Sequence, residues 1–211
     1  MDMELKNFTL KVGNKTLFHN VNITFENHTI NHILGGNGVG KSCLAKACVG
    51  MLNCGGDIIG NKNTILIGSS SNIPEEFYIE DIVAILKKKY GKKKVNDLFM
   101  LLKLNTVSNR LCIKKMSDGQ KQKIKLLAFL CEDPEVIILD EFTNALDKNS
   151  SIEIYDFINN YVKDFNMTVI NITHNLSDLE YMNGNYYYVS GKNIYRIESK
   201  QQIIQKYIQG E

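Results

Sequence analysis

The sequence predicts an α/β fold whose core is a mostly parallel β-sheet. Two short runs rich in β-branched residues, 136–139 and 169–172, lie between stretches in which apolar residues recur with a helical period. Such runs are typical of strands that are buried on both faces of a parallel sheet. The first 34 residues differ, because Val21, Ile23 and Phe25 alternate with polar residues as in a half-buried strand. We therefore expect a region of short strands that precedes alternating helices and strands.

The N-terminal elements follow in chain order. Turns are expected at residues 13–14 and 26–27, between the first strands. From Lys41 the apolar residues take up helical spacing, and this helix is expected to end near residues 55–56. A short apolar run at Thr64–Ile67 predicts the next strand.

Residues 73–116 carry two further helical patterns, separated by a lysine-rich run at residues 87–94. Two interpretations of that run remain open. It forms either a solvated loop or a surface that contacts anionic lipid headgroups or an acidic partner.

The C-terminal third begins with a helical pattern at residues 119–131, which Pro134 separates from the strand at 136–139. Near the end, two apolar runs flank Gly191 and predict a closing hairpin. The last ten residues form either a short polar helix or a frayed tail.

Composition excludes several classes of protein. The chain has 211 residues, enough for one domain or for one domain with an inserted subdomain. Its net charge of +2 argues against a protein that coats nucleic acid. No apolar run approaches the roughly 18 residues of a membrane span, and the N-terminus lacks the pattern of a signal peptide. The odd number of cysteines, five, and the missing export signal favour reduced thiols in a cytosolic protein, and the lack of C-x-x-C spacing gives no support to a role in iron–sulfur assembly.

Residues 35–42 match G-x-x-x-x-G-K-[ST] at every fixed position. The motif follows a predicted strand and opens a predicted helix, which is the context that a phosphate-binding loop requires. Glycines let successive backbone N–H groups surround a phosphate, and the helix N-terminus adds partial positive charge. The lysine is expected to reach the β- and γ-phosphates of a nucleotide, and the serine hydroxyl to bind Mg²⁺. The loop consists of Gly35, Gly36, Asn37, Gly38, Val39, Gly40, Lys41 and Ser42.

A pair of carboxylates follows the predicted strand at 136–139. Asp140 lies at its C-terminal tip, the ligand end of an open α/β sheet, where it is expected to hold Mg²⁺. Glu141 points to the other side of the tip and is expected to polarise the water that attacks the γ-phosphate. Strand and carboxylates together have the form of a Walker B motif.

Three further motifs give the chain a resemblance to the ATP-binding cassette (ABC) ATPase family. Residues 116–120 read M-S-D-G-Q and are similar to the family signature L-S-G-G-Q. Residues 144–147 read N-A-L-D and resemble the S-A-L-D of the D-loop, and His174 ends the next buried strand as the family's switch histidine does. With the two nucleotide motifs, five motifs occur in the family's order over nearly the whole chain.

The resemblance implies a P-loop NTPase fold of ABC type, with an antiparallel β region and an inserted helical subdomain. The nucleotide-binding core would be residues 1–72 and 117–211, and the insertion residues 73–116. Cassettes of this family work as head-to-tail homodimers or heterodimers, in which each ATP lies between one subunit's phosphate loop and the other subunit's signature. The resemblance assigns the remaining contacts with nucleotide to Ser117, Gly119, Gln120, Asp147 and His174, with Lys41, Glu141 and His174 as the catalytic group.

The sequence departs from the family pattern at three sites. Val12 occupies the position of the aromatic residue that stacks on adenine, and Phe8 or Phe18 is the alternative base contact. Cys43 replaces a threonine that contacts the α-phosphate, and a thiol is the weaker donor. Ser69 falls near the position of the glutamine that contacts Mg²⁺, so it is the expected third metal ligand. We expect slow basal turnover and modest nucleotide affinity.

The leading hypothesis is an Mg²⁺-dependent ATPase that powers an ABC transporter through a separate membrane-spanning permease subunit. Such a subunit is cytoplasmic and lies peripherally at the inner face of the cell membrane, without a nucleic-acid partner. The compact length favours an exporter-type system for a peptide or small molecule. The alternative is a soluble ABC ATPase without a transport role, such as one that serves iron–sulfur assembly.

Overall fold

The computed structural model describes residues 1–68 and 71–210. The strands, in chain order, are β1 (Met3–Val12), β2 (Lys15–Phe25), β3 (Ile30–Gly35), β4 (Gly55–Ile59), β5 (Thr64–Ile67), β6 (Val136–Asp140), β7 (Thr168–Ile172), β8 (Asn185–Ser190) and β9 (Asn193–Ile197). The helices are α1 (Lys41–Cys48), α2 (Ile79–Tyr90), α3 (Lys92–Leu101), α4 (Asp118–Leu130), α5 (Lys148–Phe165), α6 (Leu176–Tyr181) and α7 (Lys200–Gln209). Two short 3₁₀ helices, Leu104–Thr106 and Ile113–Lys115, lie between α3 and α4.

The strands form two sheets. The larger has the order β5-β6-β7-β3-β8-β9 and is parallel except for the β8–β9 hairpin. The smaller is antiparallel, with the order β2-β1-β4. The α/β fold with a mostly parallel core and a separate antiparallel region is confirmed. Because β3, β6 and β7 are parallel neighbours, the segments that follow them leave the sheet at the same edge.

The large sheet is buried on both faces, as its β-branched strands predict. Along β6, Ile137 and Leu139 pack into a core that includes α4 and α5. The alternate residues Val136 and Ile138 pack into a second core shared with α1 and the antiparallel sheet. This alternation follows from the two-residue period of a strand. Because both faces of the sheet are covered, the ends of the strands are the part that stays open for a ligand.

The structure corrects two boundaries near the N-terminus. The first helix ends at Cys48 instead of near residues 55–56, because the chain reverses at Gly50, whose φ is 75°. Residues 55–59 then form β4, which pairs with β1 and which the glycine-rich sequence does not signal.

The lysine-rich run is not a loop. Lys87 to Lys89 lie in the last turn of α2, and the next three lysines lie in the first turn of α3, on either side of Gly91. Lys89 and Lys94 form ion pairs with Glu132 and Asp133. A contact of this run with lipid or an acidic partner stays a prediction.

Residues 200–209 are helical, so the C-terminal segment is the short helix of the two alternatives. No helix within the described ranges 1–68 and 71–210 is long and apolar enough to cross a membrane.

Candidate functional site

The loop of residues 35–42 connects the end of β3 to the start of α1, as expected. Gly40 precedes the helix with a φ of 110°, a conformation that L side chains rarely adopt. A Cβ at Gly40 would also lie 3.1 Å from side-chain atoms of Leu17 and Phe18. Glycine at this position therefore lets the loop pack closely against β2 while its N–H groups remain at the helix N-terminus, where an anion is stabilised.

Lys41 folds back over the loop. Its Nζ donates hydrogen bonds to the carbonyl oxygens of Gly35 at 2.7 Å and Gly36 at 2.9 Å, and the residue is only 6% exposed. Burial lowers the pKa of Lys41, while the nearby carboxylates of Glu141 and Asp140 act in the opposite direction. The result is a cation fixed directly above a loop that is shaped for phosphate.

Ser42 and Asp140 meet across the loop. The Ser42 hydroxyl donates to Oδ1 of Asp140 at 3.1 Å, so the start of α1 contacts the tip of β6. Burial raises the pKa of Asp140, and the neighbouring charge of Glu141 adds to the effect. The hydrogen bond from Ser42 and the positive charge of Lys41 oppose the shift and favour the ionised carboxylate.

Glu141 adopts a left-handed conformation with a φ of 54°, which is uncommon outside glycine. Its N–H donates to the carbonyl of Ile172 at 2.9 Å, and this bond anchors the turn to the end of β7. The turn directs the carboxylate away from the core, where its side chain is 43% exposed. Backbone strain of this kind is concentrated at functional sites.

Glu141 and His174 form a contact at the open edge of the sheet. The Nδ1 of His174 lies 3.3 Å from Oε1 of Glu141, and Nδ2 of Asn144 donates to Oε2 at 3.1 Å. Two residues therefore fix the carboxylate while leaving it accessible to solvent. The arrangement suits a carboxylate that orients or deprotonates a water molecule.

The remaining predicted residues form a second cluster, at the N-termini of α4 and α5. Ser117 caps α4, and its hydroxyl accepts the N–H of Gln120 at 3.3 Å. The side-chain oxygen of Gln120 in turn accepts the N–H of Ser117 at 3.1 Å. This capping box holds the signature turn rigidly at the start of its helix.

Asp147 and Gly119 meet at Ser150. Asp147 caps α5 by accepting the N–H groups of Asn149 and Ser150, and it also accepts the Ser150 hydroxyl at 2.6 Å. A Cβ at Gly119 would lie 2.4 Å from that hydroxyl oxygen, so glycine is required for the close approach of α4 to α5. The Ser150 hydroxyl bond is the largest of the influences that lower the pKa of Asp147.

The region expected to contact a base is open. Val12 lies at the end of β1 and is 41% exposed, whereas Phe8 and Phe18 are fully buried and pack against each other. The alternative that either phenylalanine covers the base is therefore wrong. Lys15, which pairs with Val12 across the turn, donates to the carbonyl of Gly38 at 3.5 Å.

Sequence reasoning missed some of these contacts and placed one residue that remains undescribed. Lys15 and Asn144 were not predicted as site residues. Each contacts one that was, since Lys15 pairs with Val12 and Asn144 donates to Glu141. Cys43 lies half-buried in the first turn of α1, and its contact with the α-phosphate stays a prediction. Ser69 lies outside the described residues.

Comparisons with known proteins place this geometry in a family. A model of the ABC transporter family matches residues 18–144. The "Probable peptide export ATP-binding protein YydI" of Bacillus subtilis (strain 168) is 44% identical, and the match covers 98% of this chain and 99% of that protein. The "Energy-coupling factor transporter ATP-binding protein EcfA" of Pediococcus pentosaceus is 30% identical, over 83% of this chain and 71% of that protein.

Solved structures share the fold. A chain of cbiO1 from Clostridium perfringens, part of the ABC transporter complex cbiONQ, superimposes with a TM-score of 0.83 at 20% identity, covering 98% of this chain and 92% of its own. An ATP-binding cassette of an ABC transporter in its ADP conformation gives 0.81 at 18% identity, covering 99% and 95%. With its phosphate loop, paired carboxylates and signature turn, this chain belongs to the ABC transporter family, as an ATP-binding protein and an ATPase.

Proposed function

We propose that this chain is the nucleotide-binding subunit of an ABC transporter and that it drives a separate membrane-spanning subunit by hydrolysing ATP. One observation carries the proposal. Three parallel strands end at one edge of the sheet, and the side chains that follow or end them interact there. These are Lys41, Asp140, Glu141 and His174. This combination offers a phosphate cradle, a metal-ligand pair and a carboxylate for water in a single site.

Lys41 binds the β- and γ-phosphates in this proposal. The two carbonyl oxygens that hold its ammonium group fix the charge above the loop, so little conformational freedom is lost when a phosphate binds. The loop N–H groups and the N-terminus of α1 surround the same phosphates, and Cys43 contacts the α-phosphate.

The donor set fits Mg²⁺. Ser42 and Asp140 present a hydroxyl and a carboxylate oxygen side by side, and Mg²⁺ prefers oxygen ligands, with only one or two carboxylates from the protein. No cluster of three or more His, Cys, Asp or Glu residues suited to a metal occurs elsewhere in the described parts of the chain. When bound, Mg²⁺ would neutralise charge on the phosphate oxygens. Ser69 stays a proposed third ligand.

Glu141 acts on the attacking water in this proposal. Its carboxylate orients the molecule and accepts its proton, while Asn144 and His174 hold the two carboxylate oxygens in place. In this proposal the imidazolium form of His174 donates from Nδ1 to Glu141 and from Nε2 to the γ-phosphate, because both partners are acceptors. Loss of that phosphate would then remove a contact of His174 and, through it, change the position of Glu141.

The signature cluster supplies the other half of a composite site. At the N-terminus of α4 Ser117 presents its hydroxyl and Gly119 its backbone N–H, which suits a γ-phosphate held by a second subunit, while Gln120 holds the turn through the capping box. Asp147 lies beside them and contacts the partner subunit, in a homodimer or a heterodimer. We assign residues 73–116, with α2 and α3, to an inserted helical subdomain between the two parts of the core.

We further propose export of a peptide as the process that the ATPase drives. The support is the relative from Bacillus subtilis, whose match spans nearly the full length of both chains and whose name specifies peptide export. The membrane path would be formed by a permease subunit, so the chain would lie in the cytoplasm against the inner face of the membrane.

Two measurements test the proposal. Glu141→Gln should bind Mg-ATP without turning it over and should double its mass in light scattering, whereas Lys41→Ala should remain a monomer. Affinity purification of the tagged chain from membranes should recover a multi-span protein. A Glu141→Gln chain that stays monomeric at saturating Mg-ATP would contradict the composite site. Recovery of iron–sulfur assembly proteins in place of a permease would favour the soluble alternative.

A further inference from the structure

A buried polar network lies directly beneath the loops that carry Glu141 and His174. Its centre is the carboxylate of Asp178 in α6, which is 1% exposed. The network also contains a histidine and an asparagine inside the parallel sheet, although those strand positions face an apolar core. Its members are His32, Thr143, Tyr155, Asn171 and Asp178.

Asp178 accepts three of these five hydrogen bonds. Thr143 and Tyr155 each donate a hydroxyl to Oδ1 at 2.7 Å, and Asn171 donates its amide to Oδ2 at 3.0 Å. A buried carboxylate is tolerated only when such donors replace water. The three bonds therefore fix the position of α6 against β7, α5 and the loop that follows β6.

His32 anchors the far end of α6. Burial lowers the pKa of His32 to about 4, so the ring is neutral at physiological pH. Its Nδ1 accepts the Asn171 amide at 3.2 Å, which leaves the proton on Nε2, and Nε2 donates to the carbonyl of Met182 at 2.9 Å. The histidine thus attaches the residue after α6 to the centre of the sheet.

The chain positions of Thr143 and Asp178 give the network a functional meaning. Thr143 lies two residues after Glu141, and α6 begins two residues after His174. The hydrogen bond from Thr143 to Asp178 therefore joins the two loops on the buried side, opposite the Glu141–His174 contact. The bond between Thr143 and Asp178 therefore limits how far the Glu141 carboxylate and the His174 ring can separate.

We infer that Thr143 and Asp178 are positioning residues, which hold the Glu141 carboxylate and the His174 ring at their working separation. The inference rests on the proposed roles of those two groups. A misplacement of about 1 Å can cost an enzyme on the order of 100-fold in rate, so a single lost tether has a measurable effect on turnover.

Two isosteric changes separate positioning from folding. Thr143→Val and Tyr155→Phe each remove one hydroxyl that donates to the same Oδ1 over the same 2.7 Å, and each leaves the other donor in place. Only Thr143 belongs to the loop of Glu141, since Tyr155 lies in the middle of α5. The Tyr155 hydroxyl also accepts the amide of Asn175 at 3.4 Å, so Tyr155→Phe removes more than the bond to Asp178 and is the more demanding control. Thr143→Ser keeps the hydroxyl and serves as the conservative rescue.

The measurement is ATPase activity, from which kcat and KM for ATP are determined separately. The assay temperature lies well below the unfolding temperature of wild type and of each variant. We expect Thr143→Val to lower kcat about tenfold with KM for ATP within twofold of wild type, because the phosphate loop is untouched. Thr143→Ser and Tyr155→Phe should each stay within twofold in kcat, although Tyr155→Phe lowers the unfolding temperature. Thr143→Ala replaces Thr143→Val if the latter does not fold.

The inference is wrong if Thr143→Val keeps the wild-type kcat. It is also wrong if Tyr155→Phe lowers kcat as much as Thr143→Val, since the loss of any donor to Asp178 would then have the same effect and the link from Thr143 to the Glu141 loop would have no special role. Failure of the proposed function would look different: Lys41→Ala or Glu141→Gln would retain wild-type turnover, whatever Thr143→Val does.

Discussion

The hydroxyl of Ser42 donates to Oδ1 of Asp140 at 3.1 Å, although 98 residues separate them in the chain. The bond joins the first turn of α1 to the tip of β6 and presets the two oxygens that we propose as ligands of Mg²⁺. Because Asp140 is held close to Ser42 and Lys41, we expect its charge to affect both nucleotide binding and the stability of the nucleotide-free chain.

Asp140→Asn should weaken binding of Mg-ATP at least tenfold, because the amide cannot replace an anionic metal ligand. Binding of ATP in excess EDTA should change less than threefold, since Lys41 and the loop N–H groups remain. Titration calorimetry with and without Mg²⁺ measures both values. Asp156→Asn, which neutralises an exposed carboxylate on α5, is the matched control and should leave both affinities unchanged. Equal loss with and without Mg²⁺ would contradict a metal role.

The same variant should be more stable than wild type at neutral pH without nucleotide. Burial raises the pKa of Asp140 above the ordinary 3.8 of an unfolded chain, so ionisation costs more in the folded state. The penalty is present above the folded pKa and disappears below the unfolded pKa, where both states are protonated. We expect Asp140→Asn to unfold at a higher temperature than wild type at pH 7.

Differential scanning calorimetry at several pH values checks this sign. The difference between Asp140→Asn and wild type should shrink as the pH falls and vanish below 3.8. A variant that is less stable than wild type at pH 7 would mean that the Ser42 and Lys41 contacts outweigh the cost of burial.

Val12→Tyr should tighten ATP binding by at least about fivefold, the factor that corresponds to about 1 kcal/mol. Val12 is exposed beside the phosphate loop, and Phe8 and Phe18 are too deeply buried to contact a base. An aromatic ring at position 12 can stack on adenine, which is worth about 1–3 kcal/mol per base in other nucleotide sites. Fluorescence titration with a labelled ATP measures the change.

Lys11→Tyr provides the matched control for this variant. Position 11 neighbours Val12 on β1, but its side chain points to the opposite face of the strand. An equal gain in affinity from Lys11→Tyr would show that the effect is not stacking at the proposed base position.

Gly119→Ala should destabilise the chain by about 1–3 kcal/mol, the usual cost of overpacking. The new Cβ would lie 2.4 Å from the Ser150 hydroxyl oxygen and 2.6 Å from its Cβ, so α4 and α5 must separate. In a Ser150→Gly background the obstacle is absent, and the same change should cost much less. Thermal unfolding of the four chains gives the coupling. Additive effects would show that another contact requires the glycine.

The nucleotide motifs could be predicted from sequence because their residue types are dictated by local chemistry. The phosphate loop needs glycines at fixed spacing, and the strand before Asp140 is apolar since both of its faces are buried. Parallel pairing of β3, β6 and β7 then brings the two regions together without further information.

Other features could not be read from the sequence, because they depend on tertiary contacts. Asn171 and His32 resemble surface residues in the sequence, yet both are buried: the Asn171 amide donates to His32 and to Asp178, and His32 also bonds to the carbonyl of Met182. The strand β4 has neither alternation nor a continuous apolar run, so its sequence does not signal a strand. It is extended because it pairs with β1. Lys89 lies in the last turn of α2, where a solvated loop was one of two interpretations, and it forms an ion pair with Glu132, 43 positions further along the chain.

Asp147→Ser and Asp147→Ala should separate two roles of one carboxylate. Within the chain, Asp147 caps α5 through the N–H groups of Asn149 and Ser150, and serine is also a good cap. Asp147→Ser should therefore keep the wild-type unfolding temperature, and Asp147→Ala should lower it. If Asp147 also contacts the partner subunit, both changes should weaken the ATP-bound dimer of Glu141→Gln, measured by light scattering over a concentration series. Should Asp147→Ser dimerise as tightly as its parent, the carboxylate serves only as a helix cap.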